Sequence, residues 1–365
     1  MNPVVISANR SPSREPKNWR VFEEEMLTKH FGPVLSVNGE DGHSVLDAYK
    51  QHQDTVKYIR WYPDPELLML EEYKGMLRQN EAIGDLPYIT NSASGFINVQ
   101  NKENAFKAWK ENGVNCPDYF VYSDRLDYYT KQEEHPISLP FLLRLNNSVA
   151  GHHTYLVRDE KDVDEALRKL DNDFVRYTQQ NSRIKTTKMC VQLVDSVDRE
   201  RNVNLSFRIH AAGDRVISGY GRVVDSGEWL AITAGKFKPQ NIENWVYYNQ
   251  LCESIMTDHE EEICKAVQVL GLNHQGVDVI IDQSDKSLCF LEVQPTYATG
   301  YPREGYCGYH RPFYNPSDPF LVKFLIDNQK ELQQILPRYY YNWLDKRNHF
   351  DLVYKNLKEH LDVRS

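Results

Sequence analysis

The sequence predicts an α/β chain: a small N-terminal α/β unit followed by two α+β units. Three observations carry this. Strand-like and helix-like pieces alternate from residue 1 to about residue 95. From there to about residue 300, short apolar strands and amphipathic helices follow one another without a low-complexity linker or an internal repeat. Within that stretch, residues 276–295 read as an apolar hairpin with an acid in each strand. Strands alternating with helices imply a layered α/β architecture, because each element must bury one face against another.

In order, Val4-Val-Ile reads as a strand, Trp19 to His30 as a helix, and Val34-Leu-Ser-Val and Lys57-Tyr-Ile-Arg-Trp as strands. Pro65 to Arg78 reads as a helix with Pro65 near its first turn. Asn101 to Gly113 is a short helix: Phe106 and Trp109 share a face, and Gly113 supplies the stop. Pro140 to Leu145 is a strand, Asn146 to His153 a polar loop, and Tyr155-Leu-Val a further strand. Asp159 to Leu170 is an amphipathic helix, with Val163, Ala166, Leu167 and Leu170 at helical spacing. Met189 to Val194 is a strand. Asn204–His210 and Arg215–Arg222 form a hairpin around Ala211-Ala-Gly-Asp, and Asp258 to Leu270 is a helix ended by Gly271. The chain is loop-rich to about residue 318 and largely helical beyond it. The boundaries expected are 1–95, 96–195, 196–318 and a C-terminal helical extension, 319–365.

With 365 residues, the chain is long enough for two or three packed units. A net charge of −9 argues against nucleic-acid or anionic-membrane partners, and no apolar run approaches the length of a membrane span. The N-terminus lacks a basic lead and a long apolar core, so no signal peptide is expected. Six scattered cysteines without a Cys-x-x-Cys pair read as reduced thiols, which fits a cytoplasmic setting. Many of the 23 tyrosines follow residue 296, as expected of an aromatic-lined surface or pocket.

The hairpin is the most informative segment. Val279-Ile-Ile and Leu288 to Val293 are its strands, and Asp282 to Ser287 its polar turn. Antiparallel pairing brings Asp278 and Glu292 side by side, and Gln294 shares the face of Glu292. Two carboxylates and an amide oxygen make a hard-oxygen site suited to Mg²⁺ bound together with phosphates. A surface hairpin that merely carries acids is the plain alternative.

This hairpin resembles the metal-binding hairpin of the ATP-grasp superfamily, where an Asp in an apolar strand precedes Leu-Glu-hydrophobic-Asn-Pro. Here the run is Leu291-Glu292-Val293-Gln294-Pro295, with Gln in place of the usual Asn. The similarity runs in order and spacing from about residue 95 to 300. In pattern it is nearest to the ribosomal-protein glutamate ligase and D-alanine–D-alanine ligase branches. The resemblance implies the ATP-grasp fold, two α+β subdomains clasping ATP, with ATP and Mg²⁺ or Mn²⁺ as cofactors.

It also implies roles, residue by residue. Lys102 and Arg144 match the family's phosphate-binding cations; Arg144 replaces the usual Lys. The loop with Ser148, His152 and His153 matches the phosphate loop, though it has a single Gly. Cys190 to Asp195 matches the adenine hinge, placing Gln192 and Val194 at the base, with Asp198 or Glu200 holding the ribose. Arg208 and Arg222 match cations facing the phosphates and the reacting carboxylate. Asp278, Glu292 and Gln294 match the metal ligands, and the family's cation before the Asp is missing or replaced by His274. Tyr301 and Arg303 lie where members usually hold the acceptor, and suggest a cyclic or aromatic substrate with a negative group. The implied activity is ATP-driven joining of a carboxylate to an amine through an acylphosphate. The substrates would be small molecules, amino acids or peptides among them, and a homodimer is compatible with the apolar C-terminal stretch. A kinase on the same fold and a non-catalytic nucleotide-binding protein are the alternatives. The chain has neither a Gly-x-Ser-x-Gly elbow nor a Walker phosphate loop.

Overall fold

The computed structural model describes residues 2–9, 17–38, 42–61, 83, 88–91, 95, 98–99, 101–148, 151–180, 186–225, 242–294, 302–303, 306–307, 323–324, 327–338 and 346–364. The helix expected over Pro65–Arg78 lies outside these residues, as does most of the aromatic-rich segment after Gln294.

The N-terminal sheet is parallel and holds β1 (Val5–Asn9), β2 (Val34–Asn38), β3 (Tyr58–Trp61) and β4 (Tyr88–Thr90) in the order β2-β1-β3-β4. The helices α1 (Lys17–Phe31) and α2 (Gly42–His52) alternate with these strands. Ile6, Ala8 and Ile59 pack with Val45 and Ala48 of α2, while Val5 and Tyr58 pack with Met26 and Leu27 of α1. A buried ion pair ties β3 to α1, with Arg60 Nε donating to Glu23 Oε1 at 2.7 Å. Such a pair survives burial because both groups are hydrogen-bonded; Tyr354 adds its hydroxyl to the same carboxylate.

The second sheet is antiparallel, in the order β5-β8-β6-β7: β5 (Tyr119–Tyr122), β6 (Phe141–Leu145), β7 (Thr154–Val157) and β8 (Lys188–Gln192). The helix α3 (Lys102–Glu111) precedes it, Asn101 capping the start and Gly113, at φ 65°, following the end. The helices α4 (Arg125–Glu134) and α5 (Val163–Gln180) follow β5 and β7. The helix read from Asp159 to Leu170 therefore runs on to Gln180, after a 3₁₀ turn at Glu160–Asp162. Leu167 and Leu170 of α5 cover Leu143, Leu145 and Val157, so the other face of β6, carrying Leu142 and Arg144, is left for a cleft.

The third sheet has the order β11-β10-β12-β13, built from β9 (Val197–Asp198), β10 (Val203–Ala212), β11 (Arg215–Asp225), β12 (His274–Ile281) and β13 (Leu288–Gln294); β9 adds to β10. The helices α6 (Ile242–Asp258) and α7 (Glu260–Gln268) cover one face over Phe207, Ile209, Val277, Val279 and Phe290. Trp109 of α3 enters this core and donates Nε1–H to the Ala266 carbonyl at 2.6 Å. Two short strands, β14 (Pro302–Arg303) and β15 (Tyr306–Cys307), pair beyond it. Near the C-terminus are α8 (Gln329–Ile335) and α9 (Lys346–Arg364). Phe350, Val353, Tyr354 and Leu357 of α9 share one core with the N-terminal sheet and with Ala212 and Ile217 of the third sheet. Cys116, Cys190, Cys252, Cys264 and Cys289 are buried free thiols.

The segments α2, α4, α6, β4, β5 and β9 have no counterpart among the sequence-based elements. In α6, Trp245, Tyr248, Asn249, Cys252, Ile255 and Met256 are buried, so its apolar and aromatic residues do not mark a narrow stripe. It lies close on β11 because Gly219 and Gly221 present no side chain to it. A β-carbon at Gly221 would stand 3.1 Å from the Tyr248 carbonyl oxygen. Gly221→Ala is expected to lower unfolding free energy by about 1–3 kcal/mol, read by urea denaturation. A change within experimental error would show that the helix can yield.

Candidate functional site

Alternation along β10 and a bulge in β13 build the third sheet's open face. In β10, Leu205, Phe207 and Ile209 join the core, so Asn204, Ser206, Arg208 and His210 face the other way. Register then sets neighbours side by side: Ser206 pairs with Arg222, Arg208 with both Tyr220 and Asp278, and Asp278 with Glu292. The two acids meet through a one-residue bulge. From the turn, Ile281 pairs with Leu288, Ile280 with Cys289 and Val279 with Phe290, but Asp278 then pairs with Glu292, skipping Leu291. Regular pairing would set Leu291 opposite Asp278 and turn Glu292 into the core; the bulge restores it to the cleft.

Charges concentrate here. Arg208 grips Asp278 with Nε and with Nη2, the latter at 2.6 Å, and Arg222 Nη1 reaches the same carboxylate at 3.1 Å. Burial pushes the Asp278 carboxyl up, but the two guanidiniums outweigh it and hold the group below the ordinary value. The same charge partnership raises Arg208 above the usual arginine range against the desolvation penalty. From the second sheet's side, Lys102 is 4% exposed at the first turn of α3. Its Nζ donates to the Ser148 carbonyl at 2.9 Å and lies 3.5 Å from Glu292 Oε1. Burial, with Arg144 adding and Glu292 opposing, lowers Lys102 to about 8. Arg144 donates Nη2 to the Ser148 carbonyl and hydroxyl, each at 3.1 Å. The Nε groups of Arg144 and Arg222 are buried without a hydrogen-bond partner among the described residues.

Arg144, Arg222, Asp278 and Glu292 line one end of a cavity of about 150 Å³, with Lys102 and Arg208 beside it, paired to Glu292 and Asp278. Its other end is apolar, formed by Phe106, Pro117, Leu142, Val191, Val194, Ile280 and Leu291. Four cations, Lys102, Arg144, Arg208 and Arg222, stand around two carboxylates, so this site is positive on a chain whose net charge is −9. An apolar slot continuous with unsatisfied guanidinium donors can hold a flat base at one end and phosphates at the other.

The structure places the sequence-predicted residues unevenly. Lys102, Arg144, Arg208, Arg222, Asp278 and Glu292 converge. Gln192 and Val194 line the cavity, and Ser148 is buried against Lys102 and Arg144. Gln294 pairs with Gly276 in β13, and Arg303 lies in β14; their side chains, and Tyr301 entirely, lie outside the described residues. Asp198 is committed elsewhere, accepting from the Tyr248 hydroxyl at 2.6 Å and from the Arg201 backbone N–H at 3.1 Å. The alternative acid, Glu200, is 91% exposed. His153 turns to α5, where Nδ1 meets Asp173 at 2.9 Å and the ring meets Tyr177 edge to face. That is the sheet face opposite Leu142 and Arg144. Sequence reasoning missed Ser196, Asn204 and Ser206, which line the cavity beside the hinge. The polar alternation Asn204, Ser206, Arg208 within an apolar strand was the available signal.

The donor set can be tested against a metal. Among the described residues no three His, Cys, Asp or Glu side chains form a cluster able to cage an ion. Asp278 and Glu292 supply hard oxygens from adjacent strands; Arg208 Nε donates to Asp278 Oδ1, and Arg208 Nη2 and Arg222 Nη1 donate to Oδ2. The site thus fits a hard cation that brings phosphate oxygens as further ligands, and not one enclosed by protein alone.

No family model and no curated protein matches the sequence. Solved structures do match in shape. The biotin carboxylase domain of the 2-oxoglutarate carboxylase of Hydrogenobacter thermophilus, solved with MgADP, ADP and bicarbonate, aligns at TM-score 0.50 and 12% identity. The alignment covers 80% of this chain and 64% of that one, less than two thirds of its length. The L-amino acid ligase from Bacillus licheniformis aligns at TM-score 0.49 and 17% identity over 81% of this chain and 69% of that one. The ATP-grasp ligase PsnB, complexed with a minimal precursor, aligns at TM-score 0.46 and 12% identity over 81% and 91%. At such identities the likeness is one of architecture, and the fold of this chain is that of the ATP-grasp proteins.

Proposed function

We propose that the chain is an ATP-dependent carboxylate–amine ligase that forms an acylphosphate and releases ADP and phosphate. The observation that carries this reading is the cavity itself: an apolar slot that ends at Arg144 and Arg222, each keeping a buried Nε–H without a partner among the described residues, with Lys102 and Arg208 paired to the carboxylates beside them. A nucleoside triphosphate fits that gradient, its base between Leu142, Val191, Val194 and Ile280 and its phosphates toward Lys102 and Arg144.

In this reading the substrate carboxylate attacks the γ-phosphorus, the β–γ bridging bond breaks, and the electron pair leaves with ADP. Lys102 and Arg144 offset the phosphate charge, and Arg222 and Arg208 orient the carboxylate. A divalent cation held by Glu292 and Asp278 together with phosphate oxygens would supply charge neutralisation for that transfer. The amine then adds to the acylphosphate carbon, the tetrahedral oxyanion forms beside Arg208, and phosphate departs as the amine loses its proton. Water exclusion protects the acylphosphate from hydrolysis, which the buried positions of Lys102 and Arg222 favour.

The test is phosphate release from ATP and Mg²⁺ with pools of amino acids and small carboxylic acids. Release that requires two substrates supports the ligase. ADP formed from one acceptor without free phosphate would instead assign a kinase, and nucleotide binding without turnover across the pools would favour a non-catalytic role.

Charge on Lys102 also makes a pH prediction. The ammonium persists below its value of about 8 and is lost above it. Binding of Mg·ADP, followed by calorimetry, is expected to weaken as pH rises through that value. Lys102→Arg keeps its charge and should flatten the profile. A flat wild-type profile would remove Lys102 from phosphate binding.

A further inference from the structure

Lys102 and Arg144 come from different elements, one from α3 and the other from β6, yet both converge on the Ser148 carbonyl. Something must fix the start of α3 against the end of β6. Asn146, two residues beyond Arg144, is fully buried and uses its whole amide for this. Its Nδ2 donates to Asn101 Oδ1 at 2.6 Å and to Thr187 Oγ1 at 3.1 Å. Its Oδ1 accepts the Glu103 backbone N–H at 3.1 Å. Asn101 is the N-cap of α3 and its Oδ1 also accepts the Asn104 N–H at 3.2 Å. The first turn of α3 is therefore capped twice, once by its own Asn101 and once by an amide reaching over from the second sheet, with Lys102 held between the two.

We infer that Asn146 is a positioning residue for phosphate recognition: it locks the N-terminus of α3 to β6 and so sets the spacing of the Lys102–Arg144 pair. This rests on the nucleotide reading of the same cavity. Asn146 is not among the residues that line the apolar slot, and α3 reaches the slot only through Phe106, a turn beyond the capped one, so the larger effect falls at the phosphate end.

The experiment is calorimetric binding of Mg·ADP and of adenosine to the full chain, with melting temperatures recorded alongside. Asn146→Ala is expected to weaken ADP binding about tenfold or more, since a misplaced cation forfeits a charge-assisted contact, while adenosine binding changes less than about twofold. Asn101→Ala should reproduce the pattern from the other partner. Asn101→Asp, which keeps the acceptor oxygen, should recover most of the loss. Thr187→Val removes the third arm without touching α3. It is expected to lower the melting temperature and leave the ratio of ADP to adenosine affinity unchanged.

Equal losses for ADP and adenosine, or a Thr187→Val ratio shifted as far as that of Asn146→Ala, would reduce Asn146 to general support of the sheet. If Asn146→Ala fails to fold, the comparison of Asn101→Ala with Asn101→Asp decides the matter by the same ratio. A wild-type chain that binds neither compound overturns the nucleotide reading and this inference with it. Wild-type binding to both, with parallel losses in the variants, overturns the inference alone.

Discussion

Glu292→Gln is expected to abolish phosphate release from ATP, with a fall of about 10³-fold or more. The substitution keeps the size of the side chain and removes its charge. In the folded chain Glu292 stands opposite Asp278, within 3.5 Å of the Lys102 ammonium, and lines the cavity wall. A neutral amide there gives up the carboxylate available to a phosphate-bound cation. Adenosine binding should survive, because the apolar slot is untouched. Activity is read by a phosphate assay with the substrates identified by pooling, and adenosine affinity by calorimetry. A variant retaining more than about a tenth of wild-type turnover would remove Glu292 from the chemistry. One that also loses adenosine would show a folding defect instead.

Asp278→Asn should have the largest effect on stability. Asp278 neutralises Arg208 and Arg222, whose side chains are only 14% and 5% exposed. Removing the anion leaves two guanidiniums facing one another in a poorly hydrated site, at a cost of about 3 kcal/mol or more in unfolding free energy. The same change should turn the arginine pair into a better anion trap. Pyrophosphate without metal should therefore raise the variant's melting temperature more than the wild type's, by supplying the missing negative charge. The pH dependence has a defined sign. Because the folded-state value of Asp278 lies below the ordinary 3.8, its contribution is complete above that value and is lost as pH falls through the folded-state one. The stability gap between wild type and Asp278→Asn should close accordingly on acidification. Urea unfolding at a series of pH values measures it. A gap that persists at low pH, or equal pyrophosphate stabilisation of both proteins, would contradict this account of the pair.

Much of the architecture was legible because the signals were local. The Val4, Val34 and Lys57 strands, the Asn101–Gly113 helix with its cap and stop, and the 204–222 and 276–295 hairpins follow from periodicity and turn chemistry. What stayed hidden depended on burial from several sides. The helix α6 carries aromatic and apolar residues beyond any one stripe because β11 and α7 both pack against it. The helix α5 runs past Leu170, and Phe174 and Tyr177 continue its spacing of three and four residues onto the second sheet's core, a local signal that extends beyond the helix read from the sequence.

The candidate site divides in the same way. By itself the sequence determined which residues could carry the chemistry: acids in Asp278 and Glu292, and cations in Lys102, Arg144, Arg208 and Arg222. Their residue types limit what they can bind, whatever the packing. Only the tertiary structure decided which of them meet and where they point. A single skipped residue, Leu291, swings Glu292 onto the face of Asp278, since the side-chain period of a strand is two and one residue of slip reverses every direction. Asp198 was drawn to Tyr248 and His153 to Asp173, partners distant in sequence that no spacing rule could supply. Composition and order are properties of the chain; facing and partnership arise from long-range packing, which settles the direction of each side chain only once the sheets have closed.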